Sequence, residues 1–185
     1  MKTILKSVLT LTLAAGLGIA ANAQTNVINT NVTASATILD ALTLTKNMDI
    51  SFGSISASTP GAVFLNPTGG ANTNTGVNTT VGKFSMLGNP NSSVKVSWPA
   101  TIILTGNQTP TASTISYGLL VHGFNLDVPL TSVSLGGQGV GTTAPVVLNP
   151  TGGTYFLYVG GGFPALVAKP TGIYTGIANF TVEYN

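Results

Sequence analysis

Beyond residue 23, apolar residues fall at every second position in short runs, and nearly every run is separated from the next by turn residues. Val94, Val96 and Trp98 alternate with Lys95 and Ser97, and Ile115, Tyr117, Leu119 and Val121 form a longer run of the same kind. Successive side chains of a strand point to opposite faces, so a period of two places one face in a core and the other in water. Further runs are Val32–Ile38, Leu42 with Leu44, Ile50–Ile55, Ala62–Leu65, Phe84 with Met86, Ile102–Leu104, Tyr155–Val159 and Ala178–Tyr184. Thr, Val, Gly and Asn dominate and form helices poorly. The ten prolines all lie after residue 23, spaced so that no long helix fits between them. Many short strands with turns between them predict an all-β fold, an immunoglobulin-like β-sandwich.

The hexapeptide LNPTGG occurs twice, at Leu65–Gly70 and Leu148–Gly153. Pro fixes φ at the second turn position, the residue before it is pushed extended, and a following Gly accepts φ > 0. A phosphate-cradling loop would need a Lys and a following helix, and neither is present. The repeat therefore predicts a turn used twice, which marks architecture and not a site.

The first residues have the pattern of an export signal. Lys2 and Lys6 precede the apolar run Val8–Ala21, and Ala21-Asn22-Ala23 is a small-x-small cleavage sequence. The expected division is 1–23 as signal peptide, 24–31 as an N-terminal extension and 32–185 as the sandwich domain. The apolar run is too short to anchor the chain in a membrane, and later runs are shorter still. Without the leader, Lys46, Lys83, Lys95 and Lys169 balance Asp40, Asp49, Asp127 and Glu183, and there is no Arg. A neutral chain without a basic patch gives nucleic acid nothing to hold. Low self-repulsion favours association, which suits an assembled or densely layered extracellular protein.

Groups able to do chemistry are sparse. There is one His and no Cys, so neither zinc coordination nor thiol chemistry is expected. His122 has the opposite parity to Tyr117, Leu119 and Val121 and reads as a surface or strand-end residue. A triad built on His122 and Asp127 lacks a nucleophile elbow. Asp40 and Asp49 read as turn and strand-end residues in preference to paired catalytic acids, and a crosslink at Lys46 would require burial. The expectation is no enzymatic activity, no cofactor and no metal. Trp98, Tyr155 and Tyr158 supply an alternative reading, a secreted carbohydrate-binding sandwich.

The two ends carry the strongest functional pattern. Ala178, Phe180, Val182 and Tyr184 share one face of a closing strand, a candidate acceptor edge. At the other end Ile28, Thr30 and Val32, continuing to Ile38, form an apolar-leaning face on a stretch without turn residues, a candidate donor strand. An open edge invites a further strand, and an extended segment is the matching half. The segment could pair within its own chain or with a neighbour.

The closing run resembles that of chaperone–usher pilus subunits, with Tyr184 penultimate, alternating Val182, Phe180 and Ala178, and Gly172 fourteenth from the end. Such subunits are immunoglobulin-like sandwiches that lack a strand and receive it from the next subunit. The stretches ATILDALTLTKNMDISFGSI, LNPTGG and YTGIANFTVEYN resemble a bacterial family of unknown function, DUF4402, found on exported pilin-like proteins. That likeness covers most of residues 32–185. Together the resemblances imply a structural subunit of a surface filament, with copies of itself as partners and a periplasmic chaperone and outer-membrane usher as assembly machinery. The disulfide common in pilus subunits is absent.

Overall fold

The computed structural model describes residues 31–109, 111–137, 142–167 and 169–185. The chain divides between Thr37 and Ile38. Ile28 and Thr30 lie outside the described residues. Val32–Ile38 does not form the strand its alternation predicts. Residues 31–41 carry no regular structure and are all exposed, with Val32 at 91% and Ile38 at 93%. Alternation supplies an apolar face, but a strand also needs a neighbour for its amides and carbonyls. No described strand of the same chain pairs with this stretch.

Residues 38–185 form two antiparallel sheets. The larger runs β1 (Thr43–Met48), β3 (Gly82–Leu87), β9 (Thr154–Phe163), β6 (Thr114–Phe124), β5 (Thr101–Gly106) and β10 (Tyr174–Thr175). Two short strands extend it, β2 (Val63–Leu65) on the far half of β9 and β7 (Val133–Gly137) on the far half of β6. The smaller sheet has the order β11 (Thr181–Tyr184), β4 (Ser93–Ser97), β8 (Thr143–Val147). A single 3-10 turn, Pro129–Thr131, is the one helical element among the described residues.

The sheets share one core. Val94, Val96 and Val146 of the small sheet join Met86, Leu119, Val121, Tyr155 and Leu157 of the large one in a single buried cluster. The parity of β6 emerges as read, with Ile115, Tyr117, Leu119 and Val121 buried and His122 on the outer face. The architecture is an all-β sandwich. Tyr117 donates its hydroxyl to the Gly160 carbonyl at 2.7 Å, a buried tie between β6 and β9. Trp98 also belongs to the core.

Two predicted strands differ. Ile50, Phe52 and Ile55 turn inward, yet their segment is irregular and has only the bridge Ser51–Thr80. Gly53, at φ +70, breaks it, and a Cβ there would collide with the Val77 carbonyl. The Phe52 ring meets Tyr117 and Phe163 edge-on at 5.1 and 4.8 Å, so an aromatic contact replaces a ladder. The closing strand is shorter than its alternation, with β11 starting at Thr181.

Both LNPTGG copies are turns built by one device. Asn66 accepts the Thr68 amide on its side-chain oxygen at 2.9 Å, and Asn149 does the same for Thr151 at 2.9 Å. Their exits differ. Gly69 takes φ +78 in the first copy, whereas Gly153, one residue later in the motif, takes φ +64 in the second. The second copy carries the chain from the small sheet to the large one, where the Gly88 amide bonds to the Gly153 carbonyl. That close approach leaves no room for a Cβ at Gly153.

Leu157 is wholly buried, so Leu157→Ala is expected to destabilise by about 2–5 kcal/mol. Ile38→Ala should stay within about 0.5 kcal/mol of the parent, and urea unfolding measures both. Burial pushes the Tyr155 phenol up to about 12 and raises Tyr117 further. Stability from these neutral phenols is intact below their unfolded value near 10 and is lost as the pH climbs from there through the raised folded values. A phenolate absorbance titration should show them ionising only together with unfolding.

Candidate functional site

The small sheet is too narrow to cover the large one. An open cleft of about 890 Å³ lies over the uncovered part, with Phe84, Leu104, Tyr117 and Phe163 in its lining. The irregular segment around Ile50–Ile55 and residues between Lys169 and Phe180 contribute much of the rest of its lining. Lys46, ion-paired with Asp49 at 2.7 Å, stands at the rim. Ile173 and Ile177 are also rim residues, and Ile177 is 82% exposed. The lining is mostly apolar and offers an occupant hydrophobic contact more than polar recognition.

β11 runs beside this cleft and is an edge strand. Among the described strands it pairs with β4 alone, over Thr181–Ser97 to Tyr184–Val94. The Asn185 amide bonds to the Ser93 carbonyl, which sets the antiparallel pattern. Residues of the same parity, Thr181 and Glu183, direct their amides toward β4, while those of Val182 and Tyr184 point to the open side. The free backbone groups of the edge and the inward side chains of the closing strand thus belong to the same residues. Of the four candidate acceptor residues, Ala178 and Phe180 line the cleft, and Phe180 packs on Phe84 at 4.7 Å between ring centres. Val182 and Tyr184 pack against the core nearer the opposite end.

Tyr184 has a role that its place in the alternation did not reveal. Its hydroxyl accepts the Asn89 amide at 2.7 Å and donates to the Asp40 carbonyl at 2.8 Å. The closing strand is thereby fixed both to the β3–β4 turn and to the point where the chain enters β1. Lys95 and Glu183 form an ion pair across β4 and β11.

The candidates for chemistry are dispersed. Asp127 binds Lys83 at 2.6 Å through one oxygen and Tyr158 at 2.7 Å through the other. Those two bonds, from Lys83 first, hold its carboxyl below the usual range. Burial first and then Asp127 raise the Tyr158 phenol. His122 is cross-strand neighbour to Tyr158, but its Nδ1 lies 3.4 Å from the Ser132 carbonyl, and no triad forms with Asp127. Asp49 is engaged with Lys46 while Asp40 sits beyond the far end of β1, so the two do not act as a pair. Lys46 is exposed, which removes the burial a crosslink there would require. Among the described residues no group of three His, Cys, Asp or Glu side chains could hold a metal ion. Trp98, Tyr155 and Tyr158 are all buried and present no face for a sugar ring to stack on.

The bridge from Lys83 through Asp127 to Tyr158 ties the β6–β7 loop onto the outer face of the large sheet. Its carboxylate is held down in the fold, so its contribution is present above the ordinary Asp value near 3.9 and fades as the pH falls through the lowered folded value. Asp127→Asn should therefore be less stable than the parent at neutral pH, with the difference closing in acid, as read from melting temperature against pH.

Among the described residues no helix is long and apolar enough to cross a membrane. A search of curated proteins returns no match. A protein-family model described as a domain of unknown function, DUF4402, matches residues 42–184, from just before β1 to the end of β11. The match spans both sheets, the cleft and the edge strand, and the chain belongs to the DUF4402 family.

Proposed function

We propose that this protein is a structural subunit of an extracellular filament or surface layer, of pilus or fimbria type, which assembles by adding a strand to the open edge of β11. One observation carries the reading: β11 pairs with β4 alone among the described strands, and the run that leads into it reaches, at Ala178 and Phe180, an apolar cleft that the small sheet does not cover. An added strand would satisfy the amides and fill the cleft in one step. On this reading the domain is an immunoglobulin-like sandwich short of one strand, exported through the periplasm to the cell surface, with copies of itself as partners. A periplasmic chaperone that shields the cleft before assembly, and an outer-membrane usher, fit the same picture. The balance of four lysines and four acids after residue 23 supports it, because such a chain repels its copies weakly. The sparse, dispersed titratable groups support a role without catalysis. The alternative, a secreted carbohydrate-binding module, loses the support of Trp98, Tyr155 and Tyr158, which are buried.

Electron microscopy and sedimentation of the exported protein should reveal polymers. Ile177→Asp, at an exposed rim position, should weaken them while leaving the melting temperature of the single domain unchanged. A protein that stays monomeric at high concentration and binds defined glycans on an array would overturn the proposal in favour of the carbohydrate-binding reading.

A further inference from the structure

A strand edge is a hazard wherever pairing between copies is not wanted, and the small sheet has two edges. β11 is one. β8 is the other, since among the described strands it too pairs with β4 alone. An edge offers the backbone groups that its own neighbour does not use, so the direction of each amide decides what the edge can accept. Along β8 that direction is fixed at both ends. The Trp98 amide bonds to the Thr142 carbonyl at 2.9 Å, and the Leu148 amide bonds to the Ser92 carbonyl at 3.0 Å. Between them the register is unbroken, from Ser97–Thr143 to Ser93–Val147. Ala144 and Val146 therefore turn their amides to β4, while Thr143, Pro145 and Val147 turn their backbone nitrogens away from it.

Pro145 thus holds the middle outward position, and its nitrogen has no hydrogen to give. The placement removes no bond from the sheet, because a residue at this position donates none to β4. An incoming strand loses the central bond of its ladder, and a ring carbon stands where the hydrogen would be. At Ala144 or Val146 a proline would instead remove a bond within the sheet.

Charge does not guard this edge. Thr142–Leu148 reads TTAPVVL, uncharged and rich in β-branched residues, a composition that pairs readily between chains unless a proline interrupts it. No charged side chain occurs from Val128 to Ala168, and Thr143, Pro145 and Val147 are all exposed. The large sheet treats its edges differently. β1 shifts register between Lys46 and Met48 and presents a lysine, and β10 is two residues long. β11 has neither a proline nor a shift in its four paired residues.

We infer that Pro145 closes β8 to a second copy of the chain, and that without it two small sheets would join edge to edge through β8. Such a contact uses the same surface on both copies, so it is isologous and makes a closed pair. The guard acts on β8 alone and holds whatever β11 takes up.

Amide hydrogen exchange, read residue by residue at rising concentration, tests this. In the parent, Thr143 and Val147 should exchange as unpaired amides at every concentration, while Ala144 and Val146 are protected. Pro145→Thr restores a donor. Its Thr143 and Val147 amides should become protected as concentration rises, with pairing in sedimentation at concentrations roughly tenfold or more below any at which the parent pairs through this edge. Adding Val147→Lys should restore fast exchange at Thr143, because the joined edges would then bring like charges together. Assembly through β11 leaves these amides unchanged, so the readout separates the two contacts. If Pro145→Thr precipitates, the added Val147→Lys should return it to solution with the melting temperature of the parent, and precipitation that persists would overturn the inference. Protection of Thr143 and Val147 in the parent, or exchange in Pro145→Thr as fast as in the parent at all concentrations, would overturn it as well.

Discussion

The pairing of β6 with β9 is the contact on which the other elements depend. These are the longest strands, they lie side by side from Gly118–Gly162 to Phe124–Phe156, and the Tyr117 hydroxyl locks them together at the Gly160 carbonyl. Each changes its other neighbour along its length, β6 from β5 to β7 and β9 from β3 to β2. One spine thus organises a broad sheet with a long apolar inner face. Three strands of four or five residues cannot cover that face. The cleft follows from this mismatch of areas and not from any specialised loop. Hydrophobic burial rewards whatever completes the cover.

Period-two alternation made the core legible in the sequence because burial on one face of a sheet leaves that trace directly. Val94 and Val96, the inward row of β6, and Met86 all lie where parity placed them. The same reasoning made His122 an outer-face residue and Trp98 a core residue. It did not distinguish a stretch with an apolar face from a stretch with a backbone neighbour. Val32–Ile38 alternates as well as any strand and pairs with no described strand, and Ile50–Ile55 packs inward with a single bridge. Pairing depends on residues distant in sequence, and alternation contains no information about them. β7, β8 and β10 were missed for related reasons, since Gly136 and Gly137, Pro145 and a two-residue length each dilute the pattern.

The cleft itself was legible only in part. Ala178 and Phe180 share the face that lines it, but much of the remaining lining comes from a segment more than a hundred residues earlier. The double bond of the Tyr184 hydroxyl gave no local signal, because both partners are main-chain atoms of remote elements. The repeated hexapeptide was read correctly as turn chemistry. What it could not reveal is that the two copies place their left-handed glycine at different positions, a choice made by the neighbours each loop meets.

The Tyr184 hydroxyl also has a mechanical meaning. Any pull on the chain ahead of Asp40 arrives where one phenol oxygen links the entry to β1, the closing strand and the turn at Asn89. Beyond that knot the pull runs lengthwise along β1, whose ladder to β3 must yield in shear, many bonds at once, and not by peeling one bond after another. Tension on the leading segment is therefore shared by both sheets at the moment of loading.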